Sequence, residues 1–128
     1  MILFLKNKSH LSIFDPTEYN SMEFNIRKAK KADMSKVLDL IVELAIYEKE
    51  PETVEISVED LVLHGFGSTS DFDCFVAEVE QNIIGIALVY TRFSTWKGIV
   101  LHLEDLIVSE SMRGHGIGSA LLDEVIKF

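Results

Sequence analysis

Three glycines at alternate positions, Gly114, Gly116 and Gly118, follow Arg113 in the stretch Ser109 to Leu122 (SESMRGHGIGSALL). Missing β-carbons there let a bulky anion approach the backbone. A strand ending near Val108, then a glycine-rich turn and a helix, would aim unpaired backbone N–H groups and a positive helix end at one point. Arg113 adds charge at the rim of such a site. The same glycines also suit a plain helix start, so the turn alone does not name a ligand. Just upstream, Glu104 and Asp105 interrupt the apolar run Ile99 to Val108 (IVLHLEDLIV). A buried, unpaired carboxylate is costly, which places at least one of them against a wet cleft. Neighbours in a regular strand point to opposite faces, so separate jobs are expected for the two.

What is missing narrows the anion. No Gly-Lys-Ser/Thr follows the turn, which disfavours a nucleoside triphosphate loop. A dinucleotide turn needs a further parallel strand and an acidic residue about 20 positions on, and that position lies beyond Phe128. A pyrophosphate-bearing acyl carrier remains.

The elements that must position these residues follow from hydrophobic period. Phe24 to Arg27 alternates like a short strand. Asp33 is placed to cap a helix with the apolar stripe Val37, Leu38, Ile41, Leu44 and Ala45, ending before Pro51. Ser57 and Asp60 form a capping-box pattern, and Val58 to His64 reads as a second helix stopped by Gly65 and Gly67. Asp73 to Glu80, Ile83 to Phe93 and Ile99 to Val108 read as strands, joined by the Glu80 to Asn82 turn and the Ser94 to Gly98 loop. Such short links imply antiparallel neighbours. Gly116 to Lys127 carries Ile117, Ala120, Leu121, Leu122 and Val125 at helical spacing. The fold class is α/β with mixed α+β layers, a mostly antiparallel sheet with flanking helices, in a domain over residues 22–128. Residues 1–21 read as an N-terminal extension, with Met22 as a candidate natural start.

Composition limits the partners. The 128 residues are 48% hydrophobic and 26% charged, the balance of one folded domain. With 21 acidic and 12 basic residues the net charge is −9. That surface repels phosphate backbones and anionic membranes and draws in cations, so neither nucleic acid nor membrane is an expected partner. The basic run Arg27 to Lys31 is short and reads as a solvated strand end and loop. Cys74 is the single cysteine, which excludes an internal disulfide; it sits in an apolar strand pattern as core filler, and a reducing cytoplasm is the simplest setting. No apolar run approaches the roughly 20 residues of a bilayer span. No metal-ligand spacing is present, and no metal is expected.

Arg113-Gly-His-Gly-Ile-Gly118 resembles the Arg/Gln-x-x-Gly-x-Gly/Ala turn of the GNAT superfamily of N-acetyltransferases. IRKAKKADMSKVLDLIVELAIYEKE, LVLHGFG and LHLEDLIVSESMRGHGIGSALL resemble the diamine (spermidine/spermine) acetyltransferase branch, over residues 22–128. The resemblance implies acetyl-CoA as acetyl donor. Its pantetheine arm would pair with the backbone of Leu106, Ile107 and Val108, and its pyrophosphate would lie on Arg113, Gly114, His115, Gly116, Ile117, Gly118 and Ser119. Tyr47, Glu48 and Glu104 would lie at the site of a small cationic amine of polyamine or diamine type. Trp96, between two strands, either lines that amine channel or packs on the sheet edge.

An alkyl amine is almost wholly protonated at neutral pH and cannot attack a thioester until that proton leaves. Glu104 is the expected general base, through water, with Asp105 structural. His102 shares the parity of Glu104 and reads as a cleft or core histidine, while His64 and His115 are expected to face solvent. Against the family pattern, the strands, helix and leaving-group tyrosine that follow the glycine-turn helix are expected beyond Phe128. A C-terminally truncated domain, forming a homo-oligomer such as a dimer, is therefore expected. The alternative is a catalytically inactive CoA-binding or interaction domain.

Overall fold

The computed structural model describes the backbone of Leu3–Phe4 and residues 23–128 in full; the rest of the expected N-terminal extension lies outside the described residues. The elements are strand β1 (Leu3–Phe4), strand β2 (Asn25–Lys28), helix α1 (Met34–Tyr47), helix α2 (Val58–Phe66), strands β3 (Asp73–Val79), β4 (Asn82–Ser94) and β5 (Gly98–Val108), and helix α3 (Ile117–Lys127). They form one sheet in the order β1-β5-β4-β3-β2. All neighbours are antiparallel except β1, which runs parallel to β5 with Leu3 beside Asp105 and Phe4 beside Leu106.

Strand alternation sorts the core into two layers. Cys74, Val76, Ile86 and Ile107 point to one face and are covered by Met34, Val37, Leu40 and Leu44 of α1 and Leu61 of α2. Phe75, Ala77, Ala87, Val89 and Leu106 point to the other and meet Ile117, Leu121 and Val125 of α3. Each fully buried Leu or Ile in these layers contributes about 2 kcal/mol through apolar surface removed from water. Cys74 lies inside the first layer, and burial pushes its thiol up to about 12, as suits core filler.

Local chemistry explains the boundaries. Asp33 is the residue before α1, but its carboxylate does not cap that helix. It accepts the Lys30 N–H at 2.7 Å and two bonds from the Arg27 guanidinium, closing a short 3-10 turn, Lys31–Asp33. Arg27 also reaches Glu78, and Lys28 pairs with Asp73, so the first half of the basic run is tied to acidic neighbours. The Ser57–Asp60 capping box forms as expected, with Ser57 Oγ accepting the Asp60 N–H at 3.1 Å. Helix α2 then runs through Gly65 to Phe66 instead of stopping at His64. A β-carbon on Gly65 would stand 2.5 Å from the Phe72 ring, so this glycine serves packing and not termination. In β4, a β-carbon on Gly85 would come within 3.2 Å of both the Ile107 carbonyl and Leu121 Cδ1, and its absence lets α3 sit directly on the sheet.

Candidate active site

The decisive local feature is a bulge in β5. Leu88 of β4 is paired with Asp105, and the next residue, Val89, is paired with Leu103, so Glu104 is the extra residue. His102 pairs with Tyr90, two residues from Leu88 and on the same face of β4. Asp105 and His102 therefore share the face covered by α1 and α2, where a regular strand would set them on opposite faces. Glu104 lines the cavity on that face together with Asp105. The expectation that the two carboxylates are separated by strand alternation is corrected: the inserted residue resets the parity of the strand.

Two adjoining cavities meet at Asp105. One, of about 420 Å³, lies between β5, α2 and the segment after α1, and is lined by Glu104, Asp105, Ile41, Val54, Asp60 and His64 among others. The second, of about 300 Å³, is lined by Leu44, Ala45, Glu48, Glu50, Thr53 and again Asp105. Loss of water and then the charge of Glu104 push the Asp105 carboxyl up to about 6. Glu104 is 41% exposed, with Oε1 3.6 Å from His102 Nε2, and the His102 ring lies 5.0 Å from that of Tyr90. Acidic groups thus ring a mostly apolar cleft, a setting that attracts an alkyl cation and desolvates it on arrival.

At the end of β5 the chain makes a 3-10 turn, Glu110–Met112, and then the glycine turn. Gly114 and Gly116 adopt φ of 91° and 79°, the left-handed region that side chains resist, and Gly116 stands immediately before α3. Gly118 lies inside α3, where an added β-carbon would meet only Val108 Cγ2 at 3.7 Å. Ile117 is buried in the core, and Ser119 lies in the first turn of the helix. Two glycines with a left-handed backbone before an eleven-residue helix fit a phosphate-bearing ligand.

Arg113 does not line the rim. Its side chain is 8% exposed, its Nε donates to the Val108 carbonyl at 3.0 Å, Nη2 lies 3.8 Å from Glu43, and the guanidinium sits 5.7 Å from the Tyr47 ring centre. Glu43 in turn accepts the Glu110 N–H at 3.0 Å. Arg113 and Glu43 therefore brace the end of β5 against α1, and Tyr47 lies against this brace while Glu48 reaches the smaller cavity.

Other expected positions separate from the site. Trp96 is 93% exposed at the β4–β5 tip and lines neither of the two cavities. His115 is partly buried, not solvent-facing, and borders a third cavity of about 680 Å³ on the α3 side of the sheet, with Phe24, Glu78 and Met112. His64 is exposed as expected and pairs with Asp71 at 2.7 Å, but unlike the others it stays at the larger cavity, as part of its wall. The edge of β5 at Asp105 and Leu106 carries the backbone of Leu3 and Phe4. Sequence reasoning missed the cavity walls Glu50, Thr53 and Val54, which belong to a short 3-10 turn, Pro51–Thr53, and its two flanks, too short to carry a periodic signal.

Comparison with known proteins agrees with this layout. Residues 34–128 match the acetyltransferase (GNAT) family. A thialysine N-epsilon-acetyltransferase from Bos taurus is 43% identical over 108 residues, which is 78% of this chain and 64% of that protein. A spermidine/spermine N(1)-acetyltransferase-like protein 1 from Homo sapiens is 37% identical over 106 residues, 77% of this chain and 15% of that protein. The chain thus spans less than two thirds of the length of these relatives. Among solved structures, a possible acetyltransferase from Clostridium difficile 630 superimposes with a TM-score of 0.64 at 21% identity, covering 81% of this chain and 69% of its own. Because the matched span runs from the first residue of α1 to Phe128 and takes in the bulge, the glycine turn and α3, the chain belongs to the acetyltransferase (GNAT) family.

Proposed function

We propose that this chain carries the core of an N-acetyltransferase that moves an acetyl group from acetyl-CoA to a primary amine of a small cationic substrate, of polyamine, diamine or thialysine type. The observation that carries this reading is the position of Glu104 and Asp105: both line an acidic cleft one strand-end away from the left-handed glycines Gly114 and Gly116. The names of the relatives support the amine class.

In this reading the glycine turn and the first turn of α3 hold the pyrophosphate through backbone N–H groups, and the edge of β5 from Leu106 to Val108 aligns the pantetheine arm. Glu104, partly exposed, takes a proton from the substrate ammonium through water. The neutral amine then attacks the thioester carbonyl, a C–N bond forms, the C–S bond breaks, and the thiolate leaves with a proton from the attacking nitrogen. Glu48, Glu50 and Asp60 supply the negative potential that concentrates the cation.

Acetyl-CoA consumption with thialysine, spermidine and putrescine tests the reading. Glu104→Gln should lower kcat about 10²-fold or more; equal rates in the two proteins would remove Glu104 from the mechanism. A second reading, a domain that binds CoA or a protein partner without turnover, is favoured by the backbone of β1 lying along β5 at Leu106, on the edge the arm would use. Binding of CoA without acetyl transfer to any amine would favour it.

A further inference from the structure

Asp105 stands at the junction of the two cavities and is the residue immediately before the Leu106 to Val108 edge. Regular alternation with Ile107 sets it on the cleft face, the β5 bulge brings Glu104 into the same cavity, and Ile41, Leu88, Thr53 and Val54 line that cavity beside them. A carboxylate so placed has lost most of its water. A cation brought into the same cavity would restore electrostatic stabilisation to it.

We propose that Asp105 is the charge-sensing residue of the site, pairing with the reacting ammonium before transfer and losing that partner when the nitrogen becomes a neutral amide. The inference rests on the acetyltransferase reading for the identity of the ligand, and it assigns Asp105 a task different from the proton removal given to Glu104. The chemistry is balanced without any added reactant: an ammonium and an acetyl thioester give an amide, a thiol and one proton. The positive charge that entered with the amine is absent from the amide. Product therefore leaves behind a desolvated carboxylate with no cation beside it, which favours release of product and capture of the next substrate.

The test compares affinities and needs no turnover. Thialysine and its Nε-acetyl derivative are titrated calorimetrically into the wild type and Asp105→Asn, each with and without CoA. The wild type should bind the amine at least tenfold more tightly than the amide, and the difference should shrink to about threefold or less in Asp105→Asn. Asp105→Glu should restore part of the difference, which a merely structural role would not do. Equal binding of amine and amide by the wild type, loss of affinity for both ligands alike in Asp105→Asn, or an unchanged preference in that variant would each overturn the proposal. Turnover separates the two readings: a wild type that prefers amine over amide but transfers no acetyl group refutes the enzyme and leaves only the pairing of Asp105 with the bound ammonium standing.

Discussion

Leu88 faces Asp105 across the β4–β5 ladder, while the adjacent Val89 faces Leu103. That single offset brings Glu104, which strand alternation would have sent to the other face, into the same cleft as Asp105. The cost is readable in the protonation of Asp105: the carboxyl is raised from 3.8 to about 6 by desolvation and by Glu104.

A group whose folded value is raised favours the folded state in its protonated form. The benefit is full below about pH 3.8 and is lost as pH rises through about 6. Above that, the charged form opposes folding by at most about 3 kcal/mol, and water at the cavity mouth brings this nearer to 1–2. The charged and titratable groups that share the cavities with it are Glu48, Glu50, Glu55, Asp60, Glu104 and His64. Urea melts should therefore show Asp105→Asn more stable than wild type at pH 8 and close to it at pH 4.5. An equal difference at both values would contradict the assigned burial cost.

Gly116 and Gly118 should respond oppositely to alanine. At Gly116 the left-handed φ of 79° makes a side chain costly by about 1–2 kcal/mol, and CoA affinity should fall with it. Gly118 lies in a helix with room for a methyl group, so Gly118→Ala should gain about 0.5–1 kcal/mol in thermal or urea unfolding. Stabilisation at both positions would show that the turn is not under conformational demand.

Asp33 should govern stability in acid. Its hydrogen bonds with Arg27 hold the carboxyl below the usual range, so its contribution is present above about pH 3.8 and is lost as pH falls through the folded value. Asp33→Asn should cost about 1–2 kcal/mol at pH 7, and the gap to wild type should close toward pH 3. A gap independent of pH would mean that only shape matters there.

The far half of the β4–β5 hairpin exposes Phe93, Ile99 and Trp96, with Leu101 at 39% exposure, and Phe93 pairs with Ile99 across the ladder. An apolar strip of this kind favours self-association. Light scattering during size-exclusion chromatography should report a dimer or larger species, and Phe93→Ser with Ile99→Thr should shift it toward monomer. A wild-type monomer at micromolar concentration would end this expectation.

Much of the layout was legible before the structure because periodic signals carry it. The stripes of α1 and α3, the Ser57–Asp60 box and the paired strands around Glu80–Gln81 each depend on residues close in sequence. The site was legible only in part. That Arg113 turns inward depends on Glu43 and Tyr47, far away in the chain, and the pairing of Asp105 depends on Leu88. Two carboxylates in an apolar strand hinted at a cleft, but period-two reasoning assumes an uninterrupted ladder, and a bulge is a property of two strands together.

The extra residue at Glu104 also divides the β4–β5 hairpin mechanically. A bulge bends its strand and increases local twist, so the stretch from Thr91 to Leu101 is a lever that leaves the body at its own angle. Sequence changes along that lever leave the inward parity of Leu106 and Ile107 untouched. The outer hairpin is then an exchangeable arm: swapping it between relatives should alter what approaches the cleft while the layers that hold the protein together stay as they are.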